Sequence, residues 1–505
     1  MLEAKSPEKG LISESSLYAA VDLGSNSFHL LVIRNTDSGI QVLDRLKKKV
    51  RLAAGLSDSG YLSEESMERG WQCLAQFAER LYGIPPEHIR IVATAALRAA
   101  QNAQRFISIA QTILNLPIDV IHGEEEAKLI YQGVNYTTGG NPSRLVVDIG
   151  GASTELIVGN GDTINSLVSL PMGCVTWLER YFADRSLNVK NFHQAETAAR
   201  EQLALVAHGL TLYGWKACVG ASGTIQALQE IMLAQGMDEA ITLDKLLQLK
   251  AQAIQCGKLE ELEIEGLTLE RALVFPSGLA ILIAIFDTLK VDGMALSGGA
   301  LREGLVYDML PRPSDRSVRQ RTVRALQALY RIDLLQADLV SQQAGRLCSQ
   351  LENDITLNSD TRELLFWACQ LHEIGLSIAF KDANRHAAYL LNHIDAPGFT
   401  PSQKRLLATL LLNQTHALNI QELTQQNALE SHQVIPIARL LRIAILLCRT
   451  RHPDAIPPFS LSASNETFQL KIDALELKKH PLLADALHQE SRWQTNCRLP
   501  LNIQS

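Results

Sequence analysis

Two short strings, DLGSNS at 22–27 and DIGGAS at 148–153, constrain this chain more than any other feature. Each has an Asp closing an apolar strand, a Gly, small polar residues, and then a second apolar strand. Only small residues let backbone amides close around phosphate oxygens, and Ser or Thr hydroxyls add donors. The candidate phosphate-binding residues are therefore Asp22, Gly24, Ser25, Asn26 and Ser27 in the first turn. In the second they are Gly150, Gly151, Ala152, Ser153 and Thr154. The leading Asp puts negative charge where phosphates bind, which makes sense if it holds a Mg²⁺ ion or its waters. One such turn is an ordinary Gly-rich hairpin. Two, each opening a run of alternating strands and helices, predict a duplicated α/β pair that grips a phosphate chain.

The flanking sequence supports that duplication. Strand-type runs at 17–23, 28–34 and 40–46 enclose the turn TDSG at 36–39, and Ser63 is placed to cap a helix through Met67, Trp71 and Leu74. IRIVAT at 89–94 and PIDVIH at 117–122 predict further strands around a helix near Phe106. The pattern restarts at 144–160, with a third strand near Leu167. VGASGT at 219–224 and SGGALREG at 297–304 each follow a strand and open a helix, whose N-terminal amides favour an anion. They add Gly220, Ser222, Gly223 and Thr224, then Ser297, Gly298 and Gly299, to the phosphate-binding set. Beyond Pro311 helical periodicity dominates to 447, and PDAIPPF at 453–459 leads into a short mixed tail containing ETFQLKI. The expected domains are 17–135 and 136–308 (the α/β pair), 309–447 (helical) and 448–505 (a small C-terminal module).

Composition removes several alternatives. The 505 residues require more than one core, and 46% apolar with 20% charged residues is globular rather than disordered. A net charge of −7 argues against a general nucleic-acid binder. The eight cysteines include no CxxC pair, which excludes a zinc knuckle or thioredoxin-type motif and leaves buried thiols. The polar N-terminal stretch is not that of a signal peptide. The most apolar run, 273–286, contains Pro276, Ser277 and Gly278 and is too short for a bilayer, so the expected location is the cytoplasm with no membrane partner. Lys47, Lys48, Lys49 and Arg51 could steer a polyanion, as could Arg312, Arg316, Arg319, Arg321 and Arg324.

The four Gly-rich turns in this order are similar to those of the actin, sugar kinase and Hsp70 ATPase superfamily, whose two related domains close on a nucleotide or polyphosphate. Within it, AVDLGSNSFHLLV, VATAALR, GEEEAKLIYQGV, VDIGGASTELIVG, MGCVTWLERYF, GASGTIQALQE and GGALREGLVY resemble the exopolyphosphatase and guanosine pentaphosphate phosphohydrolase family. The similarity continues through LHEIGL and HAAYLL. RLAAGL, MERGWQCL and LATLLLNQT point to its guanosine pentaphosphate phosphohydrolase branch. The resemblance implies an α/β fold of two actin-like domains, then a helical HD-like domain and a small module. It also implies a Mg²⁺-dependent homodimer that removes the terminal 5′-phosphate of guanosine pentaphosphate (pppGpp), giving ppGpp and phosphate in the bacterial stringent response. Inorganic polyphosphate is the nearest rival substrate. From another class, an actin-like ATPase clamp is the remote alternative, and the acidic triplet of GEEEAKLIY speaks against it.

Residue roles follow from the same resemblance. Successive helical residues point about 100° apart, so at most one or two of Glu124, Glu125 and Glu126 can face a cleft. The family motif aligns its catalytic carboxylate with Glu126, with Glu125 in reserve; Glu124 suits the helix dipole. Asp148 and Glu155 match metal-side acids, and Arg98 matches an arginine that clamps phosphoryl oxygens. LHEIGL, with His386 and His393 downstream, is similar to HD phosphohydrolases, but Glu373 follows His372 where that chemistry needs Asp. The extra methylene disturbs a tight metal site. A degenerate helical domain with core histidines, inactive towards the 3′-pyrophosphate, is expected.

Overall fold

The computed structural model describes residues 16–36, 39–57, 59–311, 317–464 and 466–504. Asp37 and Ser38 of the expected TDSG turn, Arg312 and Arg316 of the basic run, and the N-terminal stretch 1–15 lie outside the described residues. The chain divides into two compact units, Met1–Val318 and Arg319–Ser505.

The first unit contains two five-stranded sheets of identical topology. In one, β1 (Ser16–Leu23), β2 (Ser27–Thr36) and β3 (Gly39–Lys49) form an antiparallel meander. β4 (Ile89–Ala93) and β5 (Asp119–Val120) then join in parallel, giving the order β3-β2-β1-β4-β5. In the other, β6 (Ser143–Ile149), β7 (Thr154–Asn160) and β8 (Thr163–Leu170) repeat the meander. β9 (Ala217–Gly220) and β10 (Ala295–Leu296) complete the order β10-β9-β6-β7-β8. The duplication reaches single residues. Asp22 pairs with His29 across the first hairpin and Asp148 with Glu155 across the second.

Burial explains why these segments are strands. Ala19, Ala20, Val21 and Leu30 to Ile33 are sealed on both faces, which is why they read as continuous apolar runs. β3 is the sheet edge, and the exposed Lys48 and Lys49 blunt it against further pairing. The strand expected at 117–122 shrinks to two residues, because Pro117 has no amide to donate and the exposed Asp119–Val120 edge pairs only with Val92 and Ala93.

Helices cover both sheets. α1 (Glu64–Leu81) is capped by Ser63, whose hydroxyl accepts from the Ser66 amide, and it buries Met67, Trp71, Leu74 and Phe77. α2 (Ala95–Ala99), α3 (Ala103–Leu114) and α4 (Gly123–Thr137) follow. The second half adds α5 (Cys174–Tyr181), α6 (Val189–Ala204), α7 (Ala207–Thr211), α8 (Gly223–Ala234), α9 (Leu243–Cys256), α10 (Leu269–Ala272), α11 (Phe275–Leu289) and α12 (Leu301–Met309). The most apolar run of the chain becomes α11, a core helix with Pro276 in its first turn. Among the described residues no helix is long and apolar enough to cross a membrane. α4 and α12 cross backbone to backbone. A Cβ on Gly133 would overlap the Ala300 carbonyl oxygen, and one on Gly304 would overlap that of Leu129.

The second unit is mainly helical: α13 (Val318–Leu329), α14 (Leu334–Gln350), α15 (Ser359–Leu371), α16 (Ala383–His393), α17 (Pro401–Leu412), α18 (Ile420–Thr424) and α19 (Ser431–Leu447). The tail forms a small sheet of β11 (Phe459–Ser464), β12 (Thr467–Ile472) and β13 (Leu501–Gln504), with α20 (Ala474–Lys479) and α21 (Pro481–Asn496). It has no core of its own, being too small to build one. Phe468, Leu470 and Leu501 join Leu347, Leu364 and Leu440 in a single cluster. Arg442 fixes the junction with two 2.6 Å bonds to Glu490, both side chains buried. The protein is thus an α/β chain of two actin-like βββαβ sheets followed by a helical domain, as the sequence implies.

The α4–α12 crossing yields a first test. Gly304→Ala forces a methyl into the Leu129 carbonyl, an overpacking cost of about 1–3 kcal/mol. A lowered thermal midpoint of the first unit is expected by calorimetry, and an unchanged midpoint would show that the crossing can relax.

Candidate active site

The two small-residue turns meet face to face. A Cβ on Gly151 would lie 2.9 Å from Ser25 Cβ and 3.2 Å from the Asn26 amide nitrogen, so only Gly permits this approach. Each turn is backed by its own half. The Asn26 carbonyl accepts from the amides of Val50 and Arg51, and the Ser25 carbonyl from that of Ala53. The Gly150 and Gly151 carbonyls accept from Cys174 and Val175 at the start of α5.

Four carboxylates converge beside these turns. Asp22 ends β1, Asp148 lies near the end of β6, Glu155 faces Asp148 from β7, and Glu126 sits in the first turn of α4. Burial pushes Asp22 up to about 7, helped by Glu126 and Asp148, while Arg302 pulls it down. Asp148 is pushed to about 7 by burial and Glu126, again against Arg302. Glu155 is driven well above the usual range by burial, then by Glu126 and Asp148, with hydrogen bonds from Ser153 and Ser169 opposing. Glu126 is raised by burial and lowered by Arg98, whose Nη1 donates to Glu126 Oε2 at 2.7 Å. The same Nη1 donates to the Ile121 carbonyl at 2.8 Å.

This arrangement suits a cation. Like charges gathered in a low-dielectric site hold protons until an opposite charge arrives. Asp22 Oδ1 and Ser27 Oγ are sealed from solvent with no hydrogen-bond partner. Among the described residues no three His, Cys, Asp or Glu side chains are placed to ligate an ion by themselves. A divalent ion at Asp148, Glu155 and Asp22 would therefore share its coordination with phosphate oxygens and water, which is the habit of Mg²⁺.

The helix start separates the three glutamates. Glu126 is buried beside the acids and Glu124 is exposed. Glu125 bonds Arg90 at 3.3 Å and lines a cavity of about 300 Å³ with Lys128, Tyr136 and Asp308, a lining that includes none of the four acids.

Several expected phosphate donors are already engaged. The Thr154 hydroxyl donates to the Met172 carbonyl at 2.5 Å, and that of Thr224 to the Ile149 carbonyl at 3.1 Å. Ser222 caps α8 by accepting from the Ile225 amide. The Ser297–Gly299 turn closes on itself and on α4: the Gly298 amide donates to Thr138 Oγ1 and the Gly299 amide to Ser297 Oγ. Gly220 is small because a Cβ there would press on Ile225. The Gly150 amide likewise donates to the Ser153 carbonyl at 2.9 Å, so beside the acids this leaves Ser25, Asn26, Ser27 and the amides of Gly24, Gly151 and Ala152 on the two turns.

Sequence reasoning missed the cationic wall. His29, the counterpart of Glu155 in the first hairpin, is held well below its ordinary value by burial and then by Arg302, Lys47 and Arg271. Arg302 Nη1 lies 3.3 Å from His29 Nδ1, and the Arg271 guanidinium is pressed against Gly223 at the start of α8. The repeat itself could have exposed His29. Arg302 also carried a signal, since a cation in the first turn of a helix opposes the dipole and calls for another reason.

Outside this site, Arg319 of the basic run is buried and donates to Glu363, Gln403 and the Gly398 carbonyl, which makes it structural. His372 is buried, with Nδ1 bonded to the Cys369 carbonyl at 2.7 Å and Nε2 4.0 Å from Glu373 Oε1. Glu373 is held by Arg451, which also bonds Asp333 at 2.9 Å. His386 is half-buried, and His393 is exposed beside Tyr389, because the outer face of α16 carries both. The expectation of core histidines therefore holds for His372 alone. The cysteines are free, six of them buried.

Two sheets of the same βββαβ topology, with four acids gathered beside two small-residue turns, are the frame of an actin-like α/β protein. The chain belongs to the Ppx/GppA phosphatase family, whose sequence pattern matches residues 31–313. That of Ppx/GppA phosphatase, domain III, matches residues 318–491. Among solved structures, an exopolyphosphatase from Cytophaga hutchinsonii is 24% identical, with 58% of this chain and 97% of that one covered at a TM-score of 0.54. An exopolyphosphatase-like protein is 23% identical, with 59% and 98% covered at 0.53. Both share the fold.

The raised acids give a signed prediction. An Asp148 pKa of about 7 against 3.8 unfolded means the folded state keeps a proton that the unfolded chain releases. This contribution to stability is complete below about pH 4 and lost as pH rises through about 7. In EDTA, Asp148→Asn should therefore match the wild-type thermal midpoint near pH 4.5 and exceed it at pH 8. A gap that does not widen with pH would mean Asp148 is not held protonated.

Proposed function

We propose that the protein hydrolyses the terminal 5′-phosphoanhydride of pppGpp, with Mg²⁺, to give ppGpp and orthophosphate. The observation that carries this reading is Glu126, buried within a constellation of three further acids and next to the two phosphate-sized turns. A water held by Glu126 transfers a proton to its carboxylate as the water oxygen bonds the terminal phosphorus. The bond from that phosphorus to the bridging oxygen breaks, and the electron pair leaves with the β-phosphate. Arg98 orients Glu126 through Nη1, and Nη2 is available for a phosphoryl oxygen, the position a planar guanidinium serves best. Mg²⁺ held by Asp148 and Glu155, with Asp22 opposite, would offset phosphate charge.

The cations around His29 favour a substrate with a second phosphate group. Lys47 stands opposite His29 on β3, Arg302 Nη1 lies 3.3 Å from its Nδ1, and burial, together with these cations and Arg271, keeps the imidazole neutral. pppGpp carries phosphates on both 5′ and 3′ oxygens, and the strings RLAAGL, MERGWQCL and LATLLLNQT lend the same support. Inorganic polyphosphate is the second reading, since its chain would meet the same turns and cations.

The test is phosphate release from pppGpp, polyphosphate and ATP in parallel, with wild type and Glu126→Gln. Turnover of pppGpp should be the fastest and should fall by about 10²- to 10⁴-fold in the variant. Preference for polyphosphate would select the second reading, and turnover of ATP alone would reject both. His372→Ala should release phosphate as the wild type does. If it instead abolished a 3′-pyrophosphate release present in the wild type, the second unit would be catalytic.

A further inference from the structure

Ser169 belongs to none of the motifs that define the site, yet it joins two of its parts. It stands on β8 directly opposite Glu155, and its Oγ donates to Glu155 Oε1 at 2.8 Å. Its other neighbour is the start of α4. A Cβ built on Gly123 would lie 2.6 Å from Ser169 Cβ and 2.7 Å from Ser169 Oγ, with Arg98 Nη2 at 3.7 Å. Gly123 is thus the notch that receives Ser169, three residues before Glu126 and beside the guanidinium that bonds Glu126. A larger side chain at either position would separate α4 from β8.

The hydroxyl matters beyond filling the notch. Glu155 is 1% exposed, so each donor to its carboxylate fixes an orientation that water cannot supply. Removing the partner of a buried acceptor costs more than the bond itself contributes. An Ala at 169 would leave the notch occupied and delete only the donor, which separates the two roles.

We propose that Ser169 is a positioning residue that aims the Glu155 carboxylate while seating the first turn of α4, so that Glu155 and Glu126 hold their places on either side of the reacting phosphate. This rests on the phosphohydrolase reading above, with Glu155 on the metal side. The experiment compares wild type, Ser169→Ala, Gly123→Ala and the Gly123→Ala/Ser169→Gly pair. Two readouts are taken: Mn²⁺ binding by electron paramagnetic resonance with inorganic phosphate present, and steady-state pppGpp hydrolysis.

Ser169→Ala should weaken Mn²⁺ binding by about 10-fold and lower kcat by a similar factor, with KM nearly unchanged and the thermal midpoint lowered by less than in Gly123→Ala. Gly123→Ala should lose both activity and stability. The double variant restores space but not the hydroxyl, so it should recover stability and retain the Mn²⁺ defect. Wild-type Mn²⁺ affinity and kcat in Ser169→Ala would overturn the proposal, as would full recovery in the double variant or a wild type that binds no Mn²⁺. A wild type inactive on pppGpp and polyphosphate but with Ser169-dependent Mn²⁺ binding would overturn the functional reading and leave the positioning role standing.

Discussion

Everything in the first unit answers to one constraint: four carboxylates are buried where they repel one another. Glu126 and Asp148 raise the proton affinity of their acidic neighbours on top of the burial penalty, while Arg98, Arg302 and the hydroxyls of Ser153 and Ser169 oppose it. A chain selected for stability alone would not keep such a cluster, because uncompensated buried charge is strongly unfavourable. The architecture keeps it in place by rigid means. Two hairpins hold the aspartates at strand ends, Gly151 lets the turns touch, and the Gly133 and Gly304 contacts lock α4 to α12, which carry Glu126 and Arg302. Strain of this kind is tolerated where a cation and a polyanion relieve it together.

The duplicated hairpins are alike in backbone and differ in one facing pair: Asp148 meets Glu155 in the second, whereas Asp22 meets His29 in the first. Where the second hairpin adds a fourth acid to the cluster, the first sets a neutral imidazole 3.3 Å from Arg302, so the cluster gains no further negative charge there.

Much of this was legible in the sequence because short-range patterns encode it. The two turns, their flanking strands and the Ser63 cap follow from local periodicity and small-residue spacing, whereas periodicity only limits how many of the three glutamates can face inward and the family resemblance singles out Glu126. What could not be read depends on contacts between distant segments. Ser169 meets Gly123, Arg271 meets Gly223 and Arg302 meets His29 only once the sheets have formed. The hydroxyls of Thr154, Thr224 and Ser297 looked like phosphate donors because residue type shows what a group can donate, not which carbonyl it finds first. The tail likewise read as a separate module, since sequence shows Pro-rich punctuation but not the Arg442–Glu490 pair that binds it into the helical core.

Compensation of charge distinguishes the acids of the two units. In the second unit Glu373 and Asp333 share the guanidinium of Arg451, and His372 spends its Nδ1 on the Cys369 carbonyl. The charge there is already answered by a covalently attached cation, so a metal ion arriving at these residues would have to displace an ion pair. In the first unit Asp22 Oδ1 has no partner, and burial, then Glu126, pushes both aspartates up to about 7. Similar side-chain chemistry is thus answered by a guanidinium in one place and held protonated by burial in the other. The substitution of Glu for Asp after His372 is one visible part of that difference, and Arg451, contributed from beyond α19, is the part that makes it permanent.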